Sequence, residues 1–340
     1  MADKNYSGGQ EIISERKKRI LSLRSLLFLL FSVFCIWMLL SQIDIPRTMA
    51  AFASVRVEYV GLCLLLYCVS TFFKAVRFNI ILKSTGITLA EQWAVSSYHN
   101  FFNMVFPART GELTFIYYAN RIAKVPFSNG LHALLATRFL DLVIVAGVFI
   151  VTFFVHFGSS VSVVMVAAAV SLALASLAAL FCMPAFLRIS VRLFDLVCKI
   201  LRLDRIAFIE KAGGKLREAV HDFENYSTMR DILPLAFTSL MTWLALYTMF
   251  YFSILAFGIG IPYNDGLLGS TGAVLTNVLP INSFGSFGTL EAGWTGGFMM
   301  VGMSLQDAVT TGFGSHLINF FSSIVLSVGT FVWRKIFTRT

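Results

Sequence analysis

Charge is scarce in this sequence. Only 13% of its 340 residues are Asp, Glu, Lys or Arg, whereas 57% are hydrophobic. A water-soluble domain carries about a quarter charged residues, so a soluble globular class is excluded first. Cysteine is sparse: Cys35, Cys63, Cys68, Cys182 and Cys198 stand singly, with no CxxC pair and no His/Cys ligand cluster. This argues against a disulfide framework or a zinc module and reads as packing. No GxxxxGK[ST] or HExxH segment occurs, so no cofactor is expected and ATP is not the driver within this chain. Extended polar stretches are missing, apart from 1–19 and about 188–230. Both are too short and too basic to form a separate catalytic domain.

What is present is apolar sequence in membrane-sized pieces, with 34 Phe residues and a mean hydropathy of +0.77. Six segments reach the roughly 20 residues a helical crossing needs: about 20–42, 58–82, 127–155, 161–183, 231–258 and 304–332. The first has a basic flank, Arg16-Lys17-Lys18-Arg19, but its apolar run exceeds a signal peptide's, so it reads as a retained anchor. The net charge of +9 is no nucleic-acid footprint, because the positive residues sit beside apolar segments. With the N-terminus inside, segments 1–24, 83–90 with 121–126, 184–230 and 333–340 hold 21 Lys and Arg, and the outer loops hold Arg47 and Arg56. That asymmetry predicts both termini in the cytoplasm, in a cell (inner) membrane. Residues 184–230 read as amphipathic helix on the cytoplasmic surface.

Two further stretches, 86–124 and 262–303, are apolar yet broken midway by Pro and Gly. Each reads as a re-entrant hairpin, two half-helices meeting at a non-helical tip that protein or a water-filled cavity must surround. The first contains Asn103-Met104-Val105-Phe106-Pro107-Ala108-Arg109-Thr110-Gly111-Glu112, and the second Asn277-Val278-Leu279-Pro280, then Gly285 to Gly288, Thr289 and Glu291. The grammar is shared: Asn, apolar residues, Pro, a Gly-bearing break, a hydroxyl cap and Glu in the first turn, where the helix dipole favours it. Arg138 and Asp141 follow Glu112 by 26 and 29 residues, and His316 and Asn319 follow Glu291 by 25 and 28. The expected fold is therefore all-α and polytopic, with about six transmembrane helices and two re-entrant hairpins in an inverted repeat. Its units are a basic N-terminus 1–19, a first repeat 20–157, a second repeat 158–332 and a C-terminus 333–340.

Each polar residue also has a plain structural reading. Glu112 could only cap its half-helix, and Arg109 could pair with it or reach for headgroups. Arg138 and Asp141, one turn apart, could be a neutralising pair, since an unpaired charge at the bilayer centre costs about 3 kcal/mol or more. Lys74 and Arg77 are expected to snorkel to the headgroups. His132 and His156 read as incidental, whereas His99 and Asn100 are candidates for the cavity wall. Two carboxylate-bearing hairpins with Arg109 and Arg138 nearby nevertheless exceed what capping requires. The candidate substrate-binding set is Arg109, Glu112, Arg138, Asp141, Glu291, Asn100, Asn277, His316 and Asn319.

Phe106-Pro107-Ala108-Arg109-Thr110-Gly111-Glu112, followed by Arg138-Phe139-Leu140-Asp141, resembles the P-x-R-x-G-E … R-x-x-D pattern of the lysylphosphatidylglycerol synthase transmembrane-region (flippase-like domain) family. Leu279-Pro280 with Gly285 through Ala292 resembles that family's second signature, except that Phe284 stands at a usual Gly position. The resemblance spans about 20–332. It implies movement of a polar-headgroup lipid between leaflets: an aminoacyl-phospholipid, a glycolipid or a polyprenyl-linked lipid. The soluble synthase domain of bifunctional members is not expected here. The expectation is a non-enzymatic lipid carrier whose partners are membrane lipids, with a homodimer compatible and nucleic acid not expected. An intramembrane transferase acting on a lipid-linked substrate, a small-solute or ion transporter and a structural subunit are its rivals.

Overall fold

The computed structural model describes residues 33–106, 110–158, 229–278 and 284–337, with isolated positions elsewhere. The described elements are helical: α1 (Ile45–Ala53), α2 (Val57–Ile81), α3 (Leu89–Val105), α4 (Glu112–Ala123), α5 (Phe127–Phe157), α6 (Met229–Ala256), α7 (Tyr263–Val278), α8 (Thr289–Met300) and α9 (Leu305–Phe337). Four are long and apolar enough to cross a membrane: α2, α5, Leu233–Ala256 of α6, and α9. The chain is a multi-pass α-helical membrane protein. These helices match the expected crossings at 58–82, 127–155, 231–258 and 304–332, whereas those at 20–42 and 161–183 fall largely outside the described residues. The expected outer loop 43–57 contains α1 instead. Asp44 caps it by accepting the Arg47 N–H at 3.0 Å, and Pro46 lies in the first turn, where no N–H is needed.

The two Pro-broken stretches each form a pair of short helices, α3 with α4 and α7 with α8. A capping box starts α3: Thr88 Oγ1 accepts the Glu91 N–H at 3.2 Å and Glu91 accepts the Thr88 N–H at 2.9 Å. The helix stops at Phe106, which is extended as a residue before proline tends to be. The N-cap of α4 is Gly111, not the expected Thr110. A Cβ at Gly111 would overlap Asn103 Cα and the Phe102 carbonyl of α3, so only glycine lets the return helix start this close. The N-cap of α8 is likewise Gly288, not a hydroxyl; Glu291 supplies the cap by accepting the Gly288 N–H at 2.7 Å. Along the α7–α8 seam, a Cβ on Gly272 would strike the Gly293 carbonyl oxygen, and one on Gly297 the Gly269 carbonyl oxygen. Small residues at such a seam let two backbones touch, a main source of attraction between helices in lipid.

Interhelical hydrogen bonds fix the directions. The Arg56 N–H donates to the Ala256 carbonyl, Cys63 Sγ to Met249 and Ser70 Oγ to Thr242, so α2 and α6 run antiparallel. Trp93 Nε1 donates to Thr330 Oγ1, and Ser327 Oγ to the Ser97 carbonyl, which sets α3 antiparallel to α9. Asn264 donates to the Thr152 carbonyl, and His156 Nδ1 lies 2.6 Å from Asp265, so α7 starts where α5 ends. Followed along the chain, α3–α4 leaves and returns to the end of the bundle that carries Lys83. The α7–α8 pair leaves and returns to the opposite end, which carries Asp44. His156 thus ties α5 to α7 and is not incidental.

Packing repeats between the halves. The helix pairs α2·α3, α3·α4, α4·α5, α3·α9, α2·α9 and α2·α5 are matched by α6·α7, α7·α8, α8·α9, α7·α5, α6·α5 and α6·α9, and α2 packs on α6. Each short pair has its own apolar core. Phe78 of α2 stacks on Phe115 of α4 at 4.1 Å, and Phe250 of α6 meets Trp294 of α8 edge-on at 5.5 Å. All four rings are almost wholly buried. In the 184–230 stretch, Arg217 makes a forked pair with Asp195, with Nη2 to Oδ1 at 2.8 Å. That hydrogen bonding holds the Asp195 carboxyl below its usual range. Both side chains are exposed, so the pair adds little stability.

Candidate functional site

The charged centre is built on the inner faces of α2 and α5. Asp141 of α5 accepts three donors from three directions: Arg77 Nη1 at 2.5 Å, Trp243 Nε1 at 2.7 Å and Arg138 Nη1 at 3.3 Å. Arg77 also donates to Ser239 Oγ at 3.1 Å, and its side chain is only 2% exposed. Such saturation is what a carboxylate in a low-dielectric interior requires. Arg77 and Asp141 therefore form a closed structural hub that joins α2, α5 and α6. The expectation that Arg77 snorkels to headgroups is overturned: its guanidinium turns inward to Asp141. Lys74, one turn earlier, also points inward and donates to Asn100 Oδ1 at 2.5 Å, while Asn100 donates to Thr71 at 3.0 Å.

Arg138 differs from Arg77. Its side chain is 29% exposed, and it bridges two carboxylates, with Nε 3.2 Å from Glu112 Oε1 and Nη1 on Asp141. The bridge lies on the wall of a cavity of about 370 Å³. Glu112, Arg138, Asp141 and Trp243 supply its polar side, and Leu142, Phe250 and Val274 its apolar side. Asn319 of α9 closes it, with a buried Oδ1 that has no hydrogen-bond partner. The first three residues come from the first half of the chain, and the last from the second. Arg77 and Arg138 balance the charges of Glu112 and Asp141.

The second glutamate lies elsewhere. Glu291 and His316 have fully buried side chains, joined by Oε1 and Nδ1 at 2.6 Å, and the other Glu291 oxygen takes the Gly288 N–H. Phe287 stacks on the imidazole at 4.2 Å. This pair pins the start of α8 to α9 and has no face on the cavity, although His316 stands one turn from Asn319. Of the nine candidate residues, Glu112, Arg138, Asp141 and Asn319 share the cavity. Glu291 and His316 form the sealed pair, and Asn100 joins Lys74. Neither Asn100 nor His99 lines the cavity; His99 is buried edge-on against Phe115 at 5.7 Å. Arg109 and the Asn277 side chain lie outside the described residues.

Arg77, Lys74, Ser239 and Trp243 were not among the candidates. A signal existed: Ser70, Thr71, Lys74 and Arg77 recur at helical spacing on one stripe of an apolar helix, which marks a buried polar face better than a headgroup anchor. The family described as Lysylphosphatidylglycerol synthase TM region matches this chain over residues 25–327. No curated protein matches it.

Proposed function

The chain belongs to the lysylphosphatidylglycerol synthase TM-region family, which ties it to a lipid-related function in a membrane, and from that premise we propose that it carries the polar headgroup of a lipid between leaflets. The observation that supports this most is Arg138, a partly exposed guanidinium held between Glu112 and Asp141 on the wall of the cavity. A lipid phosphate is a bidentate acceptor for such a group. When phosphate binds, it displaces Glu112 from Arg138 Nε, while Asp141 keeps its bonds to Arg77 and Trp243. The freed Glu112 carboxylate then faces the cargo, where it attracts a cationic headgroup or takes up a proton. A cavity of about 370 Å³ suits a headgroup and leaves the acyl chains in hydrocarbon.

In this proposal the α3–α4 and α7–α8 pairs are re-entrant hairpins of an inverted repeat. The antiparallel α2 and α6 and the exchangeable helix contacts support it. The Lys83 end, with Arg121, Lys124, Arg334 and Lys335, is the cytoplasmic face. In this reading the protein acts as a carrier, with Glu112, Arg138 and Asp141 paired to one another on the cavity wall until a cargo phosphate takes the place of Glu112.

The test is lipid translocation in proteoliposomes, scored by a leaflet-specific headgroup label. Loss of one charge-assisted contact is worth about 1.5–3 kcal/mol, so Arg138→Ala and Glu112→Gln should each slow translocation by about 10- to 100-fold. Wild-type rates in both variants would remove the cavity from the pathway. A labelled lipid recovered in covalently altered form would favour the transferase reading instead.

A further inference from the structure

A second concavity, separate from the cavity, runs between α3–α4 and α9. It is an open groove of about 930 Å³. A continuous run of rings forms its floor: Tyr98 meets Tyr118 at 5.0 Å, Tyr118 stacks on Phe102 at 5.7 Å, and Phe101 stacks on Phe320 of α9 at 6.3 Å. Arg121, Arg334 and Lys335 also line it. Because α9 runs antiparallel to α3, and α4 returns alongside α3, the C-terminal ends of α4 and α9 both reach the Lys83 end. The three cations therefore gather at one end of the groove, and Phe101, Phe102 and Phe320 lie towards the other. From Arg334 to Phe320 the helix rises about 21 Å, more than the roughly 15 Å of hydrocarbon in one leaflet.

The geometry points to this groove as a binding site for one anionic glycerophospholipid, its phosphate on Arg121, Arg334 and Lys335 and an acyl chain along the aromatic floor. Charge and shape both select this occupant. An apolar trough without the basic rim would suit any lipid or a partner helix, and a basic patch without the trough would suit any soluble anion. Here an apolar channel of acyl-chain length ends in three positive charges at the level where a headgroup sits. Residues 319 and 320 of α9 serve different sites: Asn319 closes the cavity, and Phe320 lines the groove. The groove is thus a docking site beside the cavity, and this inference does not depend on the cavity carrying cargo.

The experiment is native mass spectrometry of the full chain in detergent, offered equal amounts of phosphatidylglycerol and phosphatidylcholine with matched acyl chains. Wild-type protein should retain one phosphatidylglycerol in preference to phosphatidylcholine. Arg121 and Lys335 are exposed, so R121Q/K335Q should remain monodisperse while its preference falls about 10- to 30-fold. Arg138→Ala, which alters only the cavity, should keep the preference. Three results would each overturn the inference: no preference in the wild type, an unchanged preference in R121Q/K335Q, or loss of the lipid in Arg138→Ala. Efficient disulfide-linked dimers of Val328→Cys in native membranes would do the same, by assigning the groove to a second copy of the chain.

Discussion

Arg77 and Arg138 have the same side chain, and their surroundings give them different work. Arg77 is almost fully buried and bonded to Asp141 and Ser239, so it cannot leave without stranding a carboxylate in the interior. Breaking a buried ion pair by removing one partner costs about 3–5 kcal/mol. Arg77→Ala should therefore lower the thermal unfolding midpoint in detergent sharply, and R77A/D141N should recover part of that loss. Equal midpoints for Arg77→Ala and wild type would refute the hub. Arg138 is partly exposed and shared between two carboxylates, so its removal should be felt more in the proposed lipid translocation than in stability. Glu112 and Glu291, alike in sequence context, also separate: one faces a cavity, and the other is spent on the Gly288 N–H and His316.

The short helix pairs hold together differently from the long helices. Because α7 and α8 touch through backbone at Gly272, Gly293 and Gly297, there is no side-chain layer to adjust. Gly272→Ala forces the backbones apart and should cost about 1–3 kcal/mol as overpacking. Gly296 lies on the same helix as Gly293 but has open space where a Cβ would stand. Gly296→Ala should be neutral or slightly stabilising, since alanine loses less backbone entropy in a helix. Thermal unfolding of the two variants side by side checks this, and similar losses in both would show that glycine serves some need other than close approach. The caps make the same point. Both return helices begin at glycine, Gly111 and Gly288, where the sequence pattern pointed to a hydroxyl; what decided each was the backbone of α3 or the Glu291 carboxylate.

At the scale of the whole molecule, the two helix pairs start from opposite ends of the bundle. Ser84 sits beside Lys83 at one end and Ser54 beside α1 at the other, and both are exposed. With the Lys83 end cytoplasmic, Ser84→Cys should react with an impermeant maleimide only from the inside and Ser54→Cys only from the outside. Labelling of both from one side would break the inverted arrangement. The same layout gives the basic rim of the groove and the cavity different depths, because α9 runs from the Asp44 end to the Lys83 end and passes Asn319 before it reaches Arg334.

Much of this was legible in the linear chain. Low charge and long apolar runs require helices that satisfy their own backbone in lipid, and α2, α5, α6 and α9 appear where hydropathy puts them. Pro107 and Pro280 mark the broken segments because each stands near a glycine that favours a break, whereas Pro234 lies within α6. Arg138 and Asp141, one turn apart, were a candidate pair from spacing alone. Partner choice was not legible, because it depends on residues far apart in the chain. Asp141 meets Arg77 from 64 positions away and Trp243 from 102, while Glu291 turns to His316. Spacing shows that a polar group shares a helix face, but only packing decides whether that face meets a cavity, an ion partner or a helix cap. Sequence thus determined the membrane class and the broken helices, and tertiary structure decided which of their charges remain available to a ligand.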